Sequence, residues 1–297
     1  MTSTMAKHEK CLICSSGKLK QLPGYYEKHG LIKCKSCGFV FMEKIPTIDE
    51  LNLFYSKYSY DSDSYLSPMT RESYNLLLDE FEQFRSTNKI LDVGCGRGWF
   101  LIEAKNRGWE VYGTEFSEKA IEVCVAAGLK MKNGKLLNNT FPPEEFDIIT
   151  SFEVIEHINN PAEEINNIHG FLRKGGLFYC TTPNFNAYLR YYLKENYNNV
   201  IVYPEHLSYY TRSTLKRLMK TYDLSPKRVL TTGVSISSIK ISQKPGSDQP
   251  TSADSSDEKL RMKINSRWYL RAMKKVVNTT LTIFGLGITL KGYFIKT

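Results

Sequence analysis

From residue 89 onward the chain alternates short apolar runs with helix-like runs. Lys89-Ile90-Leu91-Asp92-Val93 reads as a buried strand. Further strands are expected at 110–114, 129–132, 146–151 and 176–181, with helices between them. Ser117 is placed to cap the helix after the second strand, with Glu118 in its first turn. Asn160 followed by Pro161 predicts a capped helix over 161–172, which Lys174-Gly175-Gly176 stops. A last core helix over 214–222 and a sixth strand over 228–232 follow. Gly292-Tyr293-Phe294-Ile295-Lys296 looks like one more short strand. Upstream, Thr47-Ile48-Asp49-Glu50 has the form of a capping box that opens a helix, and another helix is expected over 71–85. Repeated strand–helix units imply an α/β protein with a doubly wound, mostly parallel sheet.

Composition adds limits rather than a function. The chain has 297 residues, 41% hydrophobic and 24% charged, as a globular protein does. Its polar start lacks the apolar core of a signal peptide, and no apolar run is long enough to span a bilayer, so a cytoplasmic protein is expected. The net charge of +9 is unevenly spread: residues 1–45 carry +5, residues 258–297 carry +8, and residues 46–257 carry −4. A basic skin over the core, which a nucleic-acid enzyme would show, is missing, so a nucleic-acid partner is disfavoured. The basic stretch 259–275 could touch an anionic membrane or simply be solvated. Residues 244–258 read as a disordered loop.

Seven cysteines without a secretory signal point to thiols or metal ligands. Cys11 and Cys14 form one C-x2-C pair and Cys34 and Cys37 another, a zinc-ribbon spacing. Four thiolates close a tetrahedral shell, so this zinc would be structural and would hold together residues 1–45, too short for a core of their own. Cys95, Cys124 and Cys180 look like small core residues. Residues 46–86 would then be a helical lid or linker. Its tyrosines, Tyr55, Tyr58, Tyr60 and Tyr65, either cover a site or pack on the sheet.

The first strand runs into Asp92-Val93-Gly94-Cys95-Gly96-Arg97-Gly98, three glycines at every second position before a helix-like run. Such glycines let a backbone turn sharply beside a ligand. The spacing is neither GxGxxG nor GxxxxGK. It resembles motif I of the class I S-adenosylmethionine-dependent methyltransferases. That resemblance implies a Rossmann-like core over 87–243, S-adenosylmethionine as cofactor, and a seventh, antiparallel strand beside the sixth. It assigns Asp92, Gly94, Gly96 and Gly98 to the methionine end of the cofactor. Glu115, closing the second strand 17 residues after Gly98, would accept the ribose hydroxyls, with Phe116, Leu136 and Ser151 also against the cofactor.

After the fourth strand come Glu153, Glu156 and His157, and His206 follows the fifth. Spacing i, i+3, i+4 would put the first three on one face of a helical turn. The pattern resembles the metal site of small-RNA 2′-O-methyltransferases, and its Glu-x-x-Glu-His part that of quinone-pathway O-methyltransferases. Both imply a divalent ion on the acceptor hydroxyls, lowering their pKa, and the two carboxylates and two imidazoles of Glu153, Glu156, His157 and His206 suit Mg²⁺ or Mn²⁺. Without a metal, His157 would be a general base, with Glu156 and His206 beside it, or merely a packed ring. Zinc ribbon, core and late strand together, 259–297 holding a basic helical segment and that strand, resemble bacterial sugar and glycan O-methyltransferases. The expected substrate is therefore a small molecule or glycan precursor, nucleotide- or lipid-linked, with tyrosines after the fifth strand stacking on it. RNA methylation through the basic ribbon is the alternative, and a cofactor fold kept only for binding a third reading.

Overall fold

The computed structural model describes residues 6–55, 66–235 and 267–297. Tyr58, Tyr60 and Tyr65 of the expected lid, the whole of the expected loop 244–258 and residues 259–266 lie outside these. An N-terminal unit comprises β1 (Leu19–Gln21), α1 (Tyr26–His29), β2 (Leu31–Cys34) and β3 (Val40–Met42). Two helices, α2 (Ile48–Tyr55) and α3 (Pro68–Phe81), lead from it into the main sheet. There the chain winds through β4 (Lys89–Val93), α4 (Trp99–Asn106), β5 (Glu110–Glu115), α5 (Glu118–Ala126) and β6 (Lys130–Asn133). It continues as β7 (Phe146–Phe152), α6 (Pro161–Phe171), β8 (Leu172–Pro183) and α7 (Tyr188–Leu193). The remainder is β9 (Ser208–Tyr209), α8 (Arg212–Thr221), β10 (Leu224–Thr232), α9 (Trp268–Phe284) and β11 (Thr289–Lys296).

The main sheet has seven strands in the order β10-β11-β8-β7-β4-β5-β6. β6, β5, β4, β7 and β8 pair in parallel. β11 is antiparallel to both of its neighbours and sits between β8 and β10, so the delayed tail is the strand that completes the sheet. Apolar side chains pack on both faces. Leu91, Ile149 and Phe178 belong to one buried cluster, and Ile90, Ile148 and Tyr179 to the other. The alternation follows from the two-residue repeat of a strand covered on both sides.

Local signals held at the two caps that close. Thr47 and Glu50 exchange side-chain-to-backbone hydrogen bonds at the start of α2. The Ser117 hydroxyl accepts from the Ala120 N–H. Asn160 is a correction: α6 begins at Pro161, but the Asn160 amide donates to Glu163 and caps no backbone N–H. A second correction lies at 172–176. The helix ends at Phe171 before the glycines are reached, and the chain is already strand from Leu172. Buried Asp147 explains this. It accepts N–H bonds from Ser86, Thr87 and Asn88, and the Arg173 guanidinium reaches it at 2.5 Å, drawing Arg173 into the sheet.

The N-terminal unit is not a bead on a string. β3 pairs with β9, which returns from beyond β8, and this gives a four-stranded sheet β1-β2-β3-β9. Cys11, Cys34, Phe39 and Phe41 share a buried cluster with Leu91 and Phe178 of the main sheet. No helix among the described residues is long and apolar enough to cross a membrane.

Candidate active site

Strand β4 delivers its last residues to the carboxyl edge of the sheet, next to the point where strand order reverses. In open α/β sheets that edge is where ligands bind. Gly94, Gly96 and Gly98 all take positive φ there. Gly98 must be glycine on packing grounds as well, since a Cβ would stand 2.5 Å from Leu129 Cδ1 and 2.9 Å from Cys124 Sγ. A Cβ on Gly96 would meet nothing within 4 Å. That glycine borders open space, as a backbone passing beneath a ligand would.

Two carboxylates flank the turn. Asp92 is 3% exposed and accepts from the Thr150 hydroxyl at 2.7 Å. Burial pushes its carboxyl up to about 7. Glu115 accepts backbone N–H bonds from Gly96 at 2.9 Å, Phe116 at 2.7 Å and Ser117 at 3.0 Å. It thereby ties the end of β5 to the glycine turn. Phe116 is 70% exposed, its ring presented to solvent. Leu136 is a correction. It is fully buried in the core, and its neighbour Leu137 carries the exposed side chain.

Past β7 and β8 the character changes. Ser151 and Glu156 are buried, yet the Ser151 hydroxyl and both Glu156 carboxylate oxygens have no hydrogen-bond partner among the described residues. The Thr182 hydroxyl and His157 Nδ1 are in the same condition. His157 Nε2 stands 3.9 Å from Glu156 Oε1, and the His157 and His206 rings meet edge to face at 4.8 Å. His206 Nδ1 is held by the Val200 carbonyl at 2.7 Å, which leaves Nε2 as its outward atom. Burial raises the Glu156 carboxyl well above its ordinary value. Burial, and then the neighbouring His206, push His157 down to about 3, and burial lowers His206 too. Both rings are therefore neutral, the form that ligates metal.

One potential ligand atom from each of Glu156, His157 and His206 lies within 4.8 Å of the others. Glu153 does not join them. Residues 153–157 form an irregular turn instead of a helical one, Glu153 takes φ +53° and its side chain is exposed. The expected face of three acceptor-side residues thus becomes two, completed by His206. His206 arrives through long-range contacts: the Leu207 and Ser208 N–H groups both donate to the Glu156 carbonyl, and Ser208 is already in β9 against the N-terminal sheet. Tyr203 of the same loop donates to Glu50.

The structure also adds residues that motif reading missed. Thr150 holds Asp92. Tyr74 of α3 packs edge-on against Phe100 and Phe152, and burial pushes its phenol up to about 12, with the Asp92 charge adding to the effect. The period-two pattern of β7 could have pointed to Thr150, but nothing in α3 marked Tyr74. The tyrosines expected to stack on substrate divide. Tyr197, Tyr209 and Tyr210 are buried, while Tyr191 and Tyr192 are exposed.

At the N-terminus, Cys11 Sγ lies 3.4 Å from Cys37 Sγ, and Cys14 Sγ 3.6 Å from Cys34 Sγ. Four sulfurs on arms of about 2.3 Å define a tetrahedron with edges of about 3.8 Å, so the four thiols are already near the shape of a zinc shell.

A seven-stranded sheet with one inserted antiparallel strand, a glycine turn after its central strand and a carboxylate closing the next define a Rossmann-like methyltransferase fold. Residues 65–228 match the family model described as a methyltransferase domain, and the chain belongs to that family. Among curated proteins it is 34% identical over 110 residues to a ubiquinone biosynthesis O-methyltransferase of Azoarcus sp. (strain BH72), covering 34% of this chain and 47% of that one. A protein of the same description from Pseudomonas syringae pv. tomato is 31% identical over 110 residues, with the same coverage. The chain thus spans about half the length of these relatives. Among solved structures, a SAM-dependent methyltransferase from Archaeoglobus fulgidus superimposes with a TM-score of 0.51 at 17% identity, over 76% of this chain and 94% of that one. A geranyl diphosphate methyltransferase solved with GPP and sinefungin gives 0.53 at 16%, over 76% and 78%. At such identities the likeness is one of fold.

Proposed function

We propose that the chain transfers a methyl group from S-adenosylmethionine to a hydroxyl oxygen of a small-molecule acceptor. The observation that carries this reading is the group of buried atoms without partners, Ser151 Oγ, Thr182 Oγ1, both Glu156 oxygens and His157 Nδ1, beside the glycine turn. Buried polar atoms are nearly always paired in folded proteins, so such a group marks a place where a ligand supplies the partners. Asp92, Gly94, Gly96, Gly98 and Glu115 would hold the cofactor, with Phe116 and Ser151 against it. The bound cofactor supplies an electrophilic methyl group. Glu115 uses three of about four acceptor positions on backbone N–H groups, which leaves room for a ribose hydroxyl.

Glu156, His157 and His206 would hold a divalent ion, and their unpartnered oxygens and neutral imidazoles suit one. Such an ion, when bound, lowers the pKa of an acceptor hydroxyl. With Glu153 outside the set, two imidazoles and one carboxylate favour Mn²⁺ over Mg²⁺. An imidazole held as low as His157 is a poor general base but an available ligand. The four N-terminal thiols are assigned to one structural zinc, which would fix the unit that carries β3 and, through β9, the loop bearing His206.

For the acceptor, relatives named for ubiquinone biosynthesis support a ring hydroxyl of a quinone precursor. A sugar hydroxyl on a glycan precursor is the second reading, favoured by the arrangement of cysteine ribbon and late strand. Burial of Tyr197, Tyr209 and Tyr210 withdraws part of its support. RNA is disfavoured by the net −4 of residues 46–257. Mass spectrometry after incubation with methyl-labelled S-adenosylmethionine and a catechol or an activated sugar tests the reading. Label on an acceptor oxygen is expected, and label on nitrogen or carbon, or no transfer to any hydroxyl compound, contradicts it.

A further inference from the structure

Helix α9 is docked by one narrow stripe. Asn278 Oδ1 accepts from the Gly233 N–H, the Thr282 hydroxyl donates to the Thr231 carbonyl, and the Leu281 carbonyl accepts from the Thr231 hydroxyl. Leu270, two turns before Asn278, is half-buried on the same side. At 3.6 residues per turn Val276 and Ile283 lie opposite that stripe, with Trp268, Met273 and Phe284 to either side of them, and Val277 falls back toward Leu270. Apart from Leu270, these are 41–73% exposed, and no residue of the helix is buried. An amphipathic helix of a globular domain normally turns its apolar stripe inward. This one turns it outward.

The charges of the helix are all of one sign. Arg267, Arg271, Lys274 and Lys275 lie on the other side from Val276 and Ile283, toward the docked stripe, and residues 259–297 contain no Asp or Glu. At the C-terminal end of the helix, Ile283 and Phe284 form one wall of an open cavity of about 440 Å³. Its other walls include Arg212, Lys216, Asn186 and Ser213, two cations with an amide and a hydroxyl, and no carboxylate among the described residues lines it. Arg212 Nη1 donates to the Thr282 carbonyl, but its buried Nε has no partner among the described residues. Burial and the like charges of Arg212 and Lys220 disfavour the charged form of Lys216, a cost that a bound anion would offset. None of these residues belongs to the Glu156, His157 and His206 cluster.

We infer that the outward face of α9 and the adjoining cationic cavity form a docking surface for an anionic phospholipid bilayer. The apolar residues enter the headgroup boundary, the long cationic side chains of the other side reach the phosphate level, and Arg212 and Lys216 receive a lipid phosphate. A Trp-bearing apolar side with cations on the polar side suits that boundary, and a 17-residue helix with this charge lies on a bilayer without crossing it. A second copy of the chain fits less well, because it would give the cations of the helix and of the Arg212–Lys216 cavity no anionic partner. The inference refines the basic stretch 259–275 of the sequence reading to the apolar face of 268–284. It is independent of the acceptor proposed above.

Flotation of the full chain with vesicles tests it, with phosphatidylcholine alone against phosphatidylcholine containing phosphatidylglycerol. Binding to the anionic vesicles only is expected, weakening as salt is raised. Val276→Glu with Ile283→Glu, both at exposed positions, should abolish flotation while the thermal midpoint holds. Arg271→Gln with Lys275→Gln, which leaves the apolar face intact, should weaken partitioning by about fivefold per charge removed. Equal binding to neutral vesicles, no binding to either, or unchanged binding by the glutamate variant overturns the inference. So does a stable dimer in sedimentation that the glutamate variant dissociates while vesicles stay unbound. Binding of inorganic phosphate with no vesicle binding assigns the cavity to a soluble anion and overturns it likewise.

Discussion

On the β4–β5 side of the candidate site the chain's own donors hold the carboxylates. Glu115 takes three backbone N–H groups and Asp92 takes the Thr150 hydroxyl. On the β7–β8 side Glu156 is as buried as Asp92 and more buried than Glu115, yet neither of its oxygens is bonded to a described residue. The difference separates a site built before its ligand arrives from one that a ligand completes. A backbone cradle costs little to maintain empty. A buried carboxylate without partners destabilises the empty protein, and folds tolerate such groups where they are used.

The strongest way to break the contrast is to disturb the prebuilt side. Gly98→Val should destabilise the fold by about 3 kcal/mol or more, because its Cβ meets Leu129 and Cys124 and its φ is +69°. A urea titration that shows wild-type stability would refute the packing argument. On the other side, Glu156→Gln should lower turnover on the order of a hundredfold or more while leaving stability equal or higher, since it removes a buried charge rather than a bonded one. A large fall in thermal midpoint would mean that Glu156 has a structural partner after all.

Asp92 sharpens the comparison through pH. Its carboxyl lies at about 7 in the fold against 3.8 in the unfolded chain, so it favours folding fully below pH 3.8. That advantage is lost as pH rises to and through 7, on the order of a few kcal/mol. Asp92→Asn should therefore raise the thermal midpoint of the empty protein at pH 7.5 more than at pH 5, and weaken cofactor binding. Equal shifts at the two pH values would contradict the burial account. The smallest effect is expected at Gly96, where a Cβ has open space. Gly96→Ala should cost about 1–2 kcal/mol, for its left-handed backbone alone, and leave a folded protein that binds cofactor less tightly.

The prebuilt side was legible in the sequence because it is local. A strand, three glycines and a carboxylate closing the next strand lie within 27 residues, and each signal refers to its neighbours. The β7–β8 side was legible only as a set of residue types. Glu156 and His157 meet His206 because the Leu207 and Ser208 N–H groups bond to the Glu156 carbonyl while β9 pairs with the N-terminal sheet, and no local pattern encodes that closure. Glu153 fell out of the set because the turn after β7 is not helical. Leu136 and Leu137 differ by one position in phase, which an apolar dipeptide does not reveal. The early start of β8 was hidden by Arg173-Lys174-Gly175-Gly176, a turn signal overruled by the ion pair between Arg173 and Asp147.

Calorimetric titration of S-adenosylmethionine into the wild-type protein and into Glu115→Ala tests the central claim most directly. One site per chain is predicted in the wild type, with affinity lower by about tenfold or more in the variant, whose fold should persist. No heat of binding in the wild type, or the same affinity in both proteins, would contradict the account.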